Sequence, residues 1–590
     1  MEARVGRRQL LLVLALVVLL RLPFLNQAVQ GDDDIYLTIA EHALIDPLHP
    51  THAPYVFRGV EVDLRGQPHP PLDSWVLAGL IAIFGDVKEV PFHAFYILFS
   101  LIAAAAMWSL ARRFSPQPLW ATLLFIAVPA FVVNGNSFET DLPFLAFWMA
   151  SLALFVNHPL WSILPMALAA MTSYQTVFLI PILAVYAWLF DRRNPIRWAV
   201  IFTPAVVAGD WQIFERLSTG ALPAQVLGRY LAEYQGVSTK LANAAMLFIH
   251  SWWIVFPLLV PGAILIAWRN RHAPDVRFLL AWIGIFFVCA AVAFPAGAAR
   301  YLLPMAAPVV LLTSRLPRRW LIAGFTAQLA LSLGLALVNY QHWDEVRRFA
   351  ERVHATAPDA RTWVNGELGL RFYCERDGAL PLTRTQTVRP GDVIVTSALS
   401  RSFEAMAPAA PLAAAVIRPA IPLRLIGLES HSGYSTVHRG FWPFGVSTGA
   451  IDRLTAAKVV ERQPTLSYLP MSAPEANEQI VSGIYDLEDH RFRWMGRTAV
   501  LELKSPAEPA PLRLEFSIPD NAPARRVTLR MDGREIATQT YPTPGAYTMT
   551  TSPVQPAGAS ATIEIELDRS FSVPGDRRDL GIVLTGVGFR

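Results

Sequence analysis

The sequence predicts a mainly α-helical polytopic membrane protein, followed by a soluble C-terminal region that combines an α/β segment with a β-sandwich. Three observations lead there. Of 590 residues, 53% are hydrophobic and only 16% are charged, against about 25% charged in ordinary globular chains. The apolar excess is concentrated between residues 9 and 340, in segments approaching the length that spans a bilayer. From 341 onward, charges, prolines and short alternating runs replace it.

Apolar runs predict helices near 9–25, 92–111, 118–133, 142–157, 161–172, 176–190, 198–213, 246–268, 278–294, 302–314 and 321–340, about eleven spans in all. With the N-terminus in the cytoplasm, Arg112-Arg113, Arg192-Arg193 with Arg197, Arg269 with Arg271, and Arg315 with Arg318-Arg319 all fall inside. The stretch 72–85 is too short for about 30 Å of hydrocarbon and is laid along the interface. That arrangement places the chain in the plasma membrane as a multi-pass protein with its C-terminal domains outside the cytoplasm. Arg4, Arg7 and Arg8 before an apolar run resemble a signal peptide, but no small-residue cleavage pattern follows. The first helix is read as a retained anchor, with cleavage as the alternative.

A net charge of +4, with arginines mainly at helix ends, gives no nucleic-acid surface. Cys289 and Cys374 stand in different regimes of the chain, which argues against a disulfide between them and rules out a CxxC metal motif.

Chemistry is therefore sought in the external loops. The first, 26–91, opens with Gly31-Asp32-Asp33-Asp34-Ile35-Tyr36 and continues through Arg58 to His69-Pro70-Pro71-Leu72. Carboxylates at a membrane boundary must face water or a positive group, since one Asp in hydrocarbon costs about 2.5–3.5 kcal/mol. The second, 134–141, ends on Glu139 and Asp141 at a helix mouth. A later one holds Arg229, Tyr230 and Tyr234. The last, Gly297 to Pro304, sets Arg300 and Tyr301 at the outer surface, against the inside bias of the other arginines.

These loops resemble the GT-C superfamily of membrane glycosyltransferases, in the branch of protein O-mannosyltransferases and lipid A aminoarabinose transferases. Four marks occur in the family's order over about residues 1–340: the acidic run Asp32-Asp33-Asp34-Ile35-Tyr36, the turn His69-Pro70-Pro71-Leu72, Asp141 opening the fourth helix, and Arg300-Tyr301-Leu302-Leu303-Pro304. The resemblance implies a GT-C fold and a polyprenyl-phosphate sugar donor, with a glycan, lipid or protein of the envelope as acceptor. Family members of the aminoarabinose branch place a glutamate before the Pro-Pro turn and a histidine in a later external loop. Here Pro68 and, less closely, Tyr234 stand at those positions, so no metal site is expected, and a divalent cation remains an open alternative.

Transfer of a sugar to a hydroxyl or amine needs a carboxylate to take the acceptor proton, and Asp32 is the candidate. A lipid phosphate leaving group needs counter-charge rather than a proton, which suits Arg300, with Arg58 as a second cation. Asp33 and Asp141 are read as catalytic helpers that orient Asp32, hold the acceptor or ligate a cation. His69 and Tyr301 are placed in substrate binding. Each residue also has a plain structural reading: the acidic run as helix-start charges, preferred for Asp34; His69 as part of a polar turn; Asp141 as an N-cap; Arg300 as a snorkelling side chain.

Beyond residue 341 the chain is expected to fold as a small α/β domain (342–430), a connecting region (431–487) and a jelly-roll-like β-sandwich (488–590). Asp344 to Ala355 reads as a helix, and Thr362–Val364 and Asp392–Thr396 as strands. His431-Ser432-Gly433-Tyr434 and Phe441-Trp442-Pro443-Phe444 carry no assignable chemistry. Alternation over 499–503, 512–516, 527–531 and 561–567 marks the sandwich, with Asp532-Gly533 as a hairpin turn and 576–581 leading into the closing strand. The expected function is an inverting transfer of sugar onto an envelope acceptor at the outer face of the membrane. The alternative is a non-catalytic protein of lipid-linked glycan transport or assembly whose β domain holds glycan.

Overall fold

Proline decides where the apolar runs are cut. In the computed structural model, which describes residues 2–384, 386–400, 403–430, 432–434, 441–573, 576 and 578–590, the first helices are α1 (Glu2–Arg21), α2 (Asp33–Ala43), α3 (Leu72–Phe84), α4 (Glu89–Phe114), α5 (Pro118–Ile126), α6 (Pro129–Asn134) and α7 (Asp141–Asn157). The run read as one helix over 118–133 is two. Pro129 has no N–H and forces Val128 out of the helical region, to φ −58° and ψ 130°. The run at 198–213 is likewise split into Pro195–Val200 and Thr203–Thr219, with Pro204 at the second start. The run at 246–268 becomes Val237–Ser251 and Val260–Arg269 around a turn at Pro257.

The reverse holds at 341. The last apolar run and the expected soluble helix are one element, Arg318–Thr356, of 39 residues, because Gln341, His342 and Trp343 contain no breaker. At 1.5 Å per residue it measures about 58 Å, roughly twice the hydrocarbon thickness. Among the described residues, three helices are long and apolar enough to cross a membrane, Glu89–Phe114, Pro274–Ala293 and Arg318–Thr356. Shorter apolar helices accompany them, among them Leu72–Phe84 and Asp141–Asn157. The chain is membrane-embedded through this helical region.

Two compact units divide the chain: Met1–Tyr55, Asp63–Arg348 and Val416–Asp452 make the first; Val56–Val62, Phe349–Ala415 and Arg453–Arg590 make the second. These differ from divisions at 341, 430 and 487. Residues 416–452 join the helical unit because they pack on the long helix: Ala420 N–H donates to Gln341 Oε1 at 2.9 Å, and a side chain at Gly334 would meet Leu423 and Ile421. Buried Arg424 ties the segment to itself through the carbonyls of Ile421 and Leu423, both at 2.8 Å, and of Gly449 at 2.9 Å. Deeper in the same unit, the last residue of α1 is spent on structure. Arg21 is buried and donates to the carbonyls of Phe131 (2.6 Å) and Val132 (2.5 Å) in α6 and to Ser100 Oγ (3.3 Å) in α4, locking three helices together.

The two largest sheets lie mainly in the second unit. A five-stranded sheet runs in the order Leu380–Pro381, Thr362–Asn365, Val393–Ser397, Asp452–Val459, Ala409–Ile417. Its 362–365 strand is parallel to both 380–381 and 393–397, with the helix Gly369–Arg376 in the crossover. This is the α/β element the sequence predicts. The other is a nine-stranded antiparallel sheet, ordered 534–541, 525–531, 560–567, 492–504, 583–589, 510–518, 545–554, with 468–470 and 480–488 attached to 583–589 and 492–504. Its inward residues include Leu501, Leu503, Leu512, Leu514, Leu529 and Ile565, all fully buried. The two ends of the strand order meet at Tyr541 and Tyr547, whose rings lie 4.6 Å apart, so the sheet wraps around its core.

Asp532 and Gly533 form the expected hairpin turn, at φ +49° and +80°, between strands paired through Met531 and Arg534. The sheet begins earlier than residue 488. Strand Ile480–Glu488 hides from its alternation pattern because Gly483, at φ +76°, and three register shifts interrupt it. The closing strand starts at Val583; Arg577 lies outside the described residues.

Two stability outcomes follow from this packing. Leu501→Ala in the second unit should cost about 2–5 kcal/mol and lower the melting temperature of the detergent-solubilised protein by several degrees. Arg21→Ala should destabilise the helical unit by about 1–3 kcal/mol for each buried acceptor left unmade, and Arg21→Lys should restore little of it, since an ammonium lacks the planar fork. An unchanged thermal transition for Arg21→Ala would refute the structural role.

Candidate active site

Three stretches converge in the helical unit: the α1–α2 linker, the α6–α7 loop and the turn at 299–302. Local sequence explains the first. Gly31 takes φ +49°, and any Cβ there would collide with Glu139 Oε1, so this position favours glycine twice over. Asp32 follows at the N-cap of α2, yet makes no side-chain cap bond. Its carboxylate is left for another partner, and the reading of Asp32 as a simple cap is not realised.

That partner is Arg300. Its Nη2 lies 3.3 Å from Asp32 Oδ2 and its Nη1 3.4 Å from Asp141 Oδ2, while Nη1 also pairs with Glu139 Oε2. Asp32 is the open member of the set: its side chain is 44% exposed, against 9% for Glu139, 16% for Asp141 and 11% for Arg300. A carboxylate that meets both solvent and a guanidinium can exchange a proton with an incoming molecule; the other two are largely enclosed. Tyr301 backs the arginine, with the guanidinium carbon 5.4 Å from its ring centre, and Tyr301 in turn meets Phe294 edge-on at 5.1 Å.

Asp33 is turned inward. Its Oδ1 accepts from Ser137 Oγ at 2.7 Å and Phe138 N–H at 2.8 Å, and its Oδ2 from Gln30 N–H at 3.0 Å. Burial pushes its carboxyl up to about 7 against the pull of these three donors. Asp33 thus clamps the α1–α2 linker to the α6–α7 loop, aided by Gln30 Nε2 donating to Asn136 O at 2.7 Å and by Asp32 N–H donating to Glu139 Oε1 at 3.1 Å. Asp34 lies in the first turn of α2, where a negative charge complements the helix dipole, and accepts from Tyr55 Oη at 2.7 Å.

Asp141 is the first residue of α7 and likewise makes no cap bond; Thr140 holds the N-cap position. Its Oδ2 accepts from Asn134 Nδ2 at 2.6 Å. Asn134 Oδ1 accepts in turn from the hydroxyl of buried Tyr434, from the segment 416–452 that packs on the long helix. A chain of contacts therefore runs Tyr434, Asn134, Asp141, Arg300, Asp32. No sequence signal marks Tyr434: 300 residues separate it from Asn134, and its neighbours form no recognised motif. His431 lies outside the described residues.

His69 sits at the edge of the cluster. Its Nδ1 is 3.0 Å from Thr140 Oγ1 and 3.3 Å from Thr172 O, and its ring meets Tyr36 at 5.9 Å. The carbonyl requires a donor, which assigns the proton to Nδ1. Desolvation pushes the imidazole down to about 4, so His69 is neutral at pH 7, with Nε2 as an acceptor. Arg58 belongs to the second unit. It occupies a turn at φ +54°, donates its N–H to Glu367 Oε1 at 2.7 Å, and its guanidinium lies over the Phe57 ring. Among the described residues no group of three or more His, Cys, Asp or Glu is arranged to hold a metal ion; the space between Asp32, Glu139 and Asp141 is taken by Arg300. Cys289 and Cys374 are both free thiols.

Residues 68–209 match the family model described as dolichyl-phosphate-mannose-protein mannosyltransferase. Among solved structures, ArnT from Cupriavidus metallidurans bound to undecaprenyl phosphate is 14% identical, with 66% of this chain and 93% of that chain covered and a TM-score of 0.44. The apo state of the same protein gives 14%, 66%, 92% and 0.45. The S. cerevisiae Pmt1-Pmt2 complex bound to the sugar donor gives 15%, 38%, 34% and 0.28. No curated protein matches the chain. The family-model match spans both the His69–Leu72 turn and Asp141, and over it the chain is similar to the dolichyl-phosphate-mannose-protein mannosyltransferases, in the branch its motifs resemble.

Proposed function

We propose that this protein transfers a sugar from a polyprenyl-phosphate donor to an envelope acceptor at the outer face of the plasma membrane, with inversion at the anomeric carbon. The observation that carries the proposal is the contact of half-exposed Asp32 with the enclosed guanidinium of Arg300. The donor class follows from the description of the matched family, whose donor is a dolichyl-phosphate sugar.

In this reaction the acceptor presents a hydroxyl or amine beside Asp32. As its oxygen or nitrogen bonds to the anomeric carbon, its proton passes to the Asp32 carboxylate. The bond from that carbon to the phosphate oxygen breaks on the opposite face, and the lipid phosphate departs with the electron pair. It needs no proton, only positive charge, which Arg300 supplies through two parallel N–H donors. A single displacement of this kind inverts the centre. Before the donor arrives, Glu139 and Asp141 hold the guanidinium in place; Asn134 and Tyr434 fix Asp141, and Asp33 fixes the backbone from which Asp32 projects. His69 and Tyr301 border the same space and are assigned to substrate contact.

Asp32→Asn keeps the shape and removes the base. Transfer of label from a polyprenyl-phosphate sugar to envelope material should fall roughly 100-fold or more at unchanged protein abundance; near-normal transfer would sink the assignment. Arg300→Ala should raise the donor KM by about tenfold or more, the scale of a charged hydrogen bond, and an unaltered dependence on donor concentration would remove Arg300 from phosphate binding.

A further inference from the structure

Helix Val237–Ser251 turns an apolar face outward. Val237, Leu241, Ala245 and Phe248 share one face by their spacing and are exposed. The opposite face is turned inward and mixes polar with apolar groups: Asn243 and His250 are buried with Met246 and Leu247, Asn243 Nδ2 donates to Pro295 O at 2.6 Å, and half-buried Lys240 Nζ donates to Val292 O at 2.8 Å. A helix in water does not leave such an apolar stripe exposed. The partners Val292 and Pro295 lie at one end of Pro274–Ala293, a helix long and apolar enough to cross a membrane, whose Val288 and Val292 are also exposed.

A distant part of the chain extends this surface. The turn Phe441-Trp442-Pro443-Phe444 is pinned to the end of the same helix: His250 Nε2 lies 2.8 Å from Phe441 O, and Phe444 meets Trp253 edge-on at 4.7 Å. Yet Phe441 is 49% exposed and Trp442 56% exposed, and residues 441–446 contain no charge. Large exposed aromatics without charge, on a turn pinned to the end of a helix that turns an apolar face outward, have the composition of the belt at a membrane–water boundary.

We propose that the turn Phe441–Phe444 is a membrane-interface anchor, with Phe441 and Trp442 inserted among bilayer lipids beside helix Val237–Ser251. The partner is the lipid bilayer itself. This goes beyond the transferase reading and does not depend on it. The anchor adds a second attachment for the segment that carries Tyr434, which reaches the turn directly: Gly433 N–H donates to Trp442 O at 2.7 Å.

The test places a nitroxide label at Trp442→Cys, and separately at Phe441→Cys, in the full-length chain with Cys289→Ala and buried Cys374 retained, reconstituted in nanodiscs of phosphatidylethanolamine and phosphatidylglycerol. A label at Thr538→Cys, on the exposed face of the second unit, gives the aqueous reference, and the labelled Cys289→Ala chain gives the background. Collision rates with molecular oxygen, which partitions into lipid, should exceed those with a water-soluble nickel chelate severalfold at 441 and 442, and the ratio should reverse at 538. A nickel-dominated signal at both aromatic positions would overturn the anchor. So would labels shielded from both reagents, which would mean that protein rather than lipid covers the turn.

Discussion

One guanidinium held among three carboxylates governs the arrangement of the loops that meet at the site. Glu139 and Asp141 are largely withdrawn from water, and a carboxylate in that position costs several kcal/mol unless a cation meets it. Arg300 is that cation in the cluster, and it belongs to a different stretch of chain from either acid. The α1–α2 linker, the α6–α7 loop and the 299–302 turn are thus bound by charge as well as by packing. Asp32 completes the set while remaining open to solvent. The same ion cluster therefore combines rigid members with one that faces the medium, the combination that acid–base chemistry requires of a preorganised site.

Much of this cluster was legible in the sequence. Asp32, Asp141 and Arg300 stand out because each is a charge placed where hydrocarbon ends, and the arginine bias of the inner loops assigns all three to one face. Other members leave no such trace. Glu139 is conspicuous as an acid but not as the partner of an arginine 161 positions away. Arg21 reads as an ordinary helix-end cation, whereas it closes the carbonyls of α6. Asp33 reads as a catalytic helper of Asp32, and only the inward direction of its side chain shows it to be a clamp on the α6–α7 loop. Tyr434 depends on tertiary contact alone.

The fold was readable to different depths for physical reasons. Composition identifies apolar runs, but proline decides their continuity, so 118–133 breaks and 318–356 does not. Regular alternation exposes strands such as 512–516 and 561–567, whose buried residues fall on every second position. It misses 480–488, where a glycine bulge changes the phase. Division of the chain into units is the least local property. The sequence divides 416–452 between the α/β domain and a connecting region, and its attachment to the long helix rests on a few contacts with Gln341 and Gly334 that no window of sequence contains.

The bond between Tyr434 and Asn134 also has a bearing on biosynthesis. At about 5–20 residues per second, the ribosome reaches Tyr434 some 15–60 s after Asn134, a delay set by the 300 residues between them. During that interval the helical region can insert and Arg300 can find its acids, but the amide beside Asp141 has no phenol to hold it. Completion of the cluster is thereby deferred until the chain has been made far past its last apolar helix. A nascent chain stalled after its last apolar helix would be membrane-bound, charged in the right places and still unfinished.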